Sequence, residues 1–203
     1  MQVIRARLLG FCMGVRRAVD ITWRESLCTC GETCSSGLIN RRVYTLGPLI
    51  HNPGVLKSLE ERGILVLKDG ELPPPESTVI IRAHGVPPEM EKTLVRHGSR
   101  ILDATCPKVK QSQMKAFSFA EKGYRIFLAG EENHAEIIGI RGYVELAVTA
   151  RGGVPKCFIA GNPQEAERAA HDLFEMAPDA KTVLIGQTTI NKNEYSADRK
   201  SVV

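Results

Sequence analysis

Apolar residues along the chain gather in short runs rich in β-branched side chains, and between these runs apolar and polar positions recur with helical spacing. The runs predict strands at residues 3–9, 43–46, 64–67, 79–82, 101–104, 125–129, 144–148, 157–160 and 182–185. Helix starts follow from punctuation: Asn52-Pro53 and Asn162-Pro163 each set a capping residue before a proline at the first helical position. Glu165 completes a capping box with Asn162, and Pro107 plays the same part after Cys106. Further helices are expected from near Val15, over 108–122 and from near Ala135. The run Pro73-Pro74-Pro75 reads as a stiff turn before the next strand, and no repeat of solenoid period occurs. This alternation predicts the α/β class, with two similar small domains of mostly parallel sheet at residues 1–106 and 107–195, followed by a tail at 196–203.

Composition narrows the classes of function. With 203 residues, 43% hydrophobic and 25% charged, the chain is able to bury a real core. No apolar run approaches the roughly 18 to 20 residues of a membrane helix. Arg5, Arg7, Arg16 and Arg17 interrupt the one short stretch that imitates a signal peptide, so a cytoplasmic protein without a membrane partner is expected. A net charge of +4 is mild and aromatics at 5% offer few stacking platforms, which leaves nucleic-acid binding with weak support, whereas a small anionic ligand fits the same balance. Six cysteines on a chain of this size in a reducing compartment point to thiols or metal ligands before disulfides.

Cys12 lies in Gly10-Phe11-Cys12-Met13-Gly14, where a predicted strand ends and a helix begins, and Cys106 repeats the arrangement in Thr105-Cys106-Pro107. The positive end of a helix favours a thiolate, which suits metal ligation or nucleophilic chemistry; the alternative is a small buried hydrophobe. His51, His84 and His134 each follow a predicted strand, as does Thr188, and parallel sheets bind ligands beyond the carboxyl ends of their strands, so these groups are expected to share one pocket. His97 and His171 fall inside helical stretches and are left out of the site. Glu136, two residues after His134, serves either as a proton donor or as a negative charge at a helix N-terminus. Cys28, Cys30 and Cys34 resemble a metal loop but lack a fourth ligand at a standard interval, Cys157 reads as core, and Arg5, Arg7, Arg16, Arg17, Arg41 and Arg42 read as solvated faces.

Taken together these residues resemble the 4-hydroxy-3-methylbut-2-enyl diphosphate reductase family. The likeness rests on Gly10-Phe11-Cys12 with Gly14-Val15 and Arg17-Ala18, His51-Asn52, Ala83-His84-Gly85-Val86, Asp103-Ala104-Thr105-Cys106-Pro107, His134-Ala135-Glu136 with Gly139, and Gln187-Thr188-Thr189, in that order. The resemblance implies an iron-sulfur oxidoreductase of isoprenoid biosynthesis. Such an enzyme removes the hydroxyl from an allylic diphosphate and yields isopentenyl and dimethylallyl diphosphates at a 4Fe-4S cluster fed by ferredoxin or flavodoxin. It further implies that Cys12 and Cys106 ligate the cluster, that His51, His84 and His134 contact the diphosphate, that Thr188 contacts substrate and that Glu136 donates the proton.

Three departures accompany the likeness. The family's His-Pro-Glu stands here as His134-Ala135-Glu136, and the cysteine-rich stretch 28–37 has no familiar counterpart. The family fold continues into a third domain carrying a third cluster cysteine and a Ser-x-Asn motif, neither of which appears after Thr189. The ending Asp198 to Val203 matches one frame of a common sequencing adapter, so the chain is expected to be an interrupted reading frame, inactive alone and poor at holding iron. The alternatives at this point are a zinc-binding interaction module built on Cys28, Cys30 and Cys34, and a cysteine-nucleophile hydrolase using Cys12 or Cys106.

Overall fold

The computed structural model describes residues 10–27, 42–50, 52–68, 70–155, 157–176, 179, 181–190, 193, 195 and 196. Its elements run α1 (Met13–Leu27), β1 (Val43–Leu46), α2 (Pro53–Glu60), β2 (Ile64–Leu67), β3 (Thr78–Ile81), α3 (Pro88–Arg96), β4 (Arg100–Asp103), α4 (Pro107–Glu121), β5 (Arg125–Ala129), α5 (Ala135–Thr149), β6 (Cys157–Ala160), α6 (Pro163–Met176) and β7 (Thr182–Gly186). The strands form two sheets, ordered β2-β1-β3-β4 and β6-β5-β7. Every pairing in them is parallel.

Parallel strands need crossover helices, and the helices cover both faces of each sheet. On the first sheet, Val43, Ile64 and Ile80 meet Ala18 and Val19 of α1 and Leu59 of α2, while Tyr44, Leu67 and Val79 meet Leu94 of α3. On the second, Ile126 and Leu128 pack against Ala116 and Ala120 of α4 and Ile137, Ile140 and Val144 of α5; Phe127 faces Ala166 of α6. The central strands β3 and β5 are buried at every position, which explains their continuous apolar runs, whereas edge strand β2 exposes Leu65 and Val66. Replacing the fully buried Ile140 by Ala is expected to lower unfolding stability by about 2–5 kcal/mol, read as a drop in the urea midpoint at unchanged slope.

The helix starts follow the predicted chemistry. Asn52 accepts a hydrogen bond from Val55 N–H at 3.1 Å, and Asn162 accepts one from Glu165 N–H at 2.9 Å. Glu165 reaches back to Gly161 N–H at 2.8 Å, one residue before the usual partner in a capping box. Its carboxyl lies below the usual range because that backbone bond and the Asn162 amide favour the charged form.

One predicted element is wrong. Residues 144–148 are not a strand but the last turns of α5. Their β-branched apolar composition imitates a strand, yet the buried positions Ile137, Ile140, Val144 and Ala147 recur at helical spacing against α4. Two strands are displaced by one residue: β3 and β4 start at Thr78 and Arg100, because Thr78 N–H bonds Arg42 C=O and Arg100 N–H bonds Ser77 C=O, both at 2.9 Å. Polar side chains at these positions hid the ends of the ladder. The predicted strand 3–9, the cysteine-rich stretch 28–37 and His51 lie outside the described residues. Among those described, no helix is long and apolar enough to cross a membrane.

Candidate active site

The groups of interest stand on turns that leave the carboxyl ends of the strands. After β3 the chain turns through Arg82 and Ala83 to His84, closed by Gly85 N–H to Arg82 C=O at 3.0 Å with Gly85 at φ +72°. After β5 a turn from Glu131 to His134, with a 2.9 Å backbone bond, leads into α5. His134 caps that helix: its Nδ1 accepts the Glu136 N–H at 3.2 Å. In the neutral ring this leaves Nε2 as the hydrogen-bearing nitrogen, a donor for an anion. The His84 and His134 rings meet edge to face, 5.3 Å between centroids.

Glu136, in the first turn of α5, is fully buried. A buried carboxylate is costly unless its oxygens find donors. Thr188, just past β7, supplies two: its N–H donates to Oε1 at 2.9 Å and its hydroxyl to Oε2 at 2.8 Å. Gln187 holds this turn in place. Its N–H continues the ladder to Ala129 C=O at 2.8 Å, its Oε1 accepts from Glu131 N–H at 3.1 Å, and its Nε2 donates to Thr189 at 2.6 Å. The ends of β5 and β7 are thereby tied to each other and to the acid.

Cys106 is half-buried at the N-cap of α4, and its N–H donates to Ala83 C=O at 2.8 Å, next to His84. Cys12 is exposed and directly precedes α1, with its C=O accepting from Arg16 N–H at 2.9 Å. The N-terminus of α1 comes so close to Cys106 that a Cβ on Gly14 would lie 2.5 Å from the Cys106 sulfur. Arg17 is exposed, as expected of a solvated face, and it also fastens the contact by donating to Thr105 C=O at 3.2 Å and Asp103 C=O at 3.1 Å. Its sequence neighbours Gly14 and Val15 were the available signal, but only the fold brings it to residue 105.

Asp103 braces the same turn. It accepts Thr105 N–H at 2.9 Å and Lys110 Nζ at 3.2 Å, and Lys110 also donates to the Tyr143 hydroxyl at 2.9 Å. Burial alone would raise the Asp103 pKa, but the hydrogen bonds from Thr105 and the Lys110 charge bring it below its ordinary 3.8. For Lys110 burial alone would lower the pKa, and the Tyr143 bond with the Asp103 charge lifts it above 10.5. An acid with a depressed pKa stabilises fully above its unfolded value and loses that contribution as pH falls through the folded one; a base with a raised pKa loses it as pH rises through the folded one. The brace is therefore intact from about pH 4 to 10. Asp103→Asn is expected to cost about 0.5–1 kcal/mol at pH 7, since the Lys110 pair is partly screened by solvent and Asn still accepts from Thr105 N–H, a difference that fades in acid below the lowered Asp103 pKa. Equal urea midpoints at pH 7 would contradict it.

The remaining candidates stand apart. His97 caps the end of α3, with Nε2 2.9 Å from Pro73 C=O, and His171 is exposed on α6. Cys157 packs half-buried beside the second core, and burial pushes its pKa up to about 12. Cys28, Cys30, Cys34, Arg5, Arg7 and Arg41 lie outside the described residues.

The sequence profile described as LytB protein matches residues 3–202. The chain belongs to the LytB family. Among its LytB-family relatives, a 4-hydroxy-3-methylbut-2-enyl diphosphate reductase of Treponema denticola is 40% identical over 202 residues, covering 97% of this chain and 63% of the relative. The protein of the same name from Treponema pallidum (strain Nichols) is 38% identical over 225 residues, covering 96% of this chain and 55% of the relative. The chain thus spans little more than half the length of these curated relatives. A solved structure of (E)-4-hydroxy-3-methyl-but-2-enyl diphosphate reductase superposes with a TM-score of 0.77 at 31% identity, over 98% of this chain and 63% of that one. The Plasmodium falciparum E-1-hydroxy-2-methyl-but-2-enyl-4-diphosphate reductase shares the fold, with a TM-score of 0.79 at 23% identity over 97% of this chain and 54% of that one.

Proposed function

We propose that the protein carrying this sequence reduces 4-hydroxy-3-methylbut-2-enyl diphosphate to isopentenyl and dimethylallyl diphosphates. The observation that carries this reading is the buried Glu136, held by Thr188 through both oxygens beside the paired His84 and His134 rings. An acid so fixed at the edge of a histidine cluster suits proton delivery to a leaving hydroxyl on a substrate whose diphosphate the histidines hold. The balance is two electrons and two protons taken up, one C–O bond broken, one C–H bond formed and one water released. In this reading His84 and His134, with His51, bind the diphosphate through ring N–H donors, Thr188 orients Glu136 and contacts substrate, and Glu136 protonates the departing oxygen. The reaction belongs in the cytoplasm, with ferredoxin or flavodoxin as the one-electron donor.

The LytB family is known to use a 4Fe-4S cluster, which supplies the electrons and a Lewis-acidic iron when bound. Two thiols beside adjoining helix N-termini, Cys12 and Cys106, have the right chemistry to be two of its ligands. Among the described residues, however, no group of three or more His, Cys, Asp or Glu side chains is arranged to hold a metal ion. Among the described residues the ligand set is therefore incomplete.

The direct test is anaerobic turnover of the allylic diphosphate by the protein carrying this sequence, with reduced ferredoxin and product analysis by mass spectrometry. Formation of both five-carbon diphosphates is expected. Absence of either product above a heat-inactivated control would overturn the reading.

A further inference from the structure

Arg82, between β3 and the His84 turn, carries a cation into the fold without an answering carboxylate. Among the described residues no ion pair or side-chain hydrogen bond engages its guanidinium, and its Nε is buried without a partner. A buried N–H of a charged group left unmatched is costly. The fold nevertheless makes room for it: a Cβ on Gly47 would lie 2.8 Å from Arg82 Nη1. The guanidinium lines a cavity of about 330 Å³ whose wall also includes Lys68, Glu71, Leu46, Val86 and Met90. Glu71 is already engaged by Lys68 N–H at 2.9 Å, and two cations against one carboxylate leave the wall net positive. The cavity touches Gly85 and Ala135, immediate neighbours of His84, His134 and Glu136, but His84, His134, Glu136 and Thr188 do not themselves line it.

A planar guanidinium whose Nε–H is buried and unmatched fits an oxyanion, and an apolar wall beside it fits hydrocarbon. A cavity of about 150 Å³ already accommodates benzene, so this one has space for a short tail as well as a phosphate. We propose that the Arg82 cavity is a second ligand site, for a small organic phosphate with its phosphate on Arg82 and its apolar tail against Leu46, Val86 and Met90. Its position behind the His84 turn makes it a place where an occupant bears on that turn without entering the active site. The choice of a five-carbon diphosphate as occupant rests on the reductase reading; the organic-phosphate chemistry does not.

Isothermal titration of the protein carrying this sequence, and of its Arg82→Met and Met90→Trp variants, with isopentenyl diphosphate and with inorganic diphosphate tests the site. Wild type should show an isopentenyl diphosphate site that Arg82→Met weakens roughly 10- to 100-fold. Met90 is 37% exposed at the cavity wall, so Met90→Trp fills the space without disturbing the core and carries the test if Arg82→Met fails to fold. It should weaken isopentenyl diphosphate by a similar factor and inorganic diphosphate far less. Affinities unchanged in both variants would overturn the proposal, and so would an Arg82-dependent site indifferent to Met90→Trp, which would be a bare phosphate site. Arg82-dependent binding in a protein without reductase turnover would retain this site and remove the reductase reading; turnover with Arg82-independent binding would do the reverse.

Discussion

Glu136→Gln is expected to lower kcat of the proposed reduction by roughly 10²- to 10⁴-fold, with KM changed less than about threefold. The amide keeps the shape of the acid. Its oxygen still accepts from Thr188 N–H, and its NH₂ faces the Thr188 hydroxyl, which accepts as readily as it donates. The buried pair therefore survives and the fold with it, while the transferable proton is gone. KM should stay close to wild type, because the amide keeps the size of the acid and its contacts with Thr188. Steady-state kinetics together with a thermal melt decide the matter: a melting point within a few degrees of wild type and a collapsed kcat fit the role, whereas a raised KM at normal kcat would make Glu136 a binding group.

The second large effect is expected at Gly14, where Gly14→Ala should destabilise the protein by about 1–3 kcal/mol and expose the Cys106 thiol to alkylation. Helix propensity predicts the opposite sign, since Ala exceeds Gly by about 1 kcal/mol in a helix interior. At this position, however, the new methyl would sit 2.5 Å from the Cys106 sulfur and 2.8 Å from its Cβ, distances real atoms do not share. Cys106 has little freedom to retreat, because its N–H is bonded to Ala83 and its C=O to Lys110 N–H. The helix α1 must move instead, pulling the Arg17 bonds from residues 103 and 105. Gly54 in α2 is the internal control: a Cβ there meets only Asn52 Oδ1 at 3.4 Å, so Gly54→Ala should be neutral or stabilise. Paired urea melts and the rate of Cys106 alkylation separate the two; stabilisation by both substitutions would refute the contact argument.

Much of the local structure was written in local chemistry. The Asn-Pro pairs mark α2 and α6 because an Asn side chain and a proline ring act within one turn, and the runs at 43–46, 64–67, 125–129 and 157–160 match β1, β2, β5 and β6 because strands of a helix-covered parallel sheet read as short, largely apolar runs, even where edge strand β2 exposes Leu65 and Val66. The one wrong element, 144–148, shows the limit of that signal: β-branched residues fit a strand and a buried helix alike, and packing against α4 decides between them. The strand-end positions of Cys106, His84, His134 and Thr188 were likewise readable from spacing.

The α/β alternation, the helix starts and the residue types standing at the strand ends were therefore legible along the chain. Packing alone settles that Thr188 grips Glu136 across 52 residues, that Arg17 ties α1 to a carbonyl 88 residues away, and that the Arg82 Nε is buried without a partner among the described residues. Capping and strand periodicity are energies of neighbours along the chain, whereas a donor finding an acceptor fifty residues on depends on how helices and sheets stack, which no local pattern encodes.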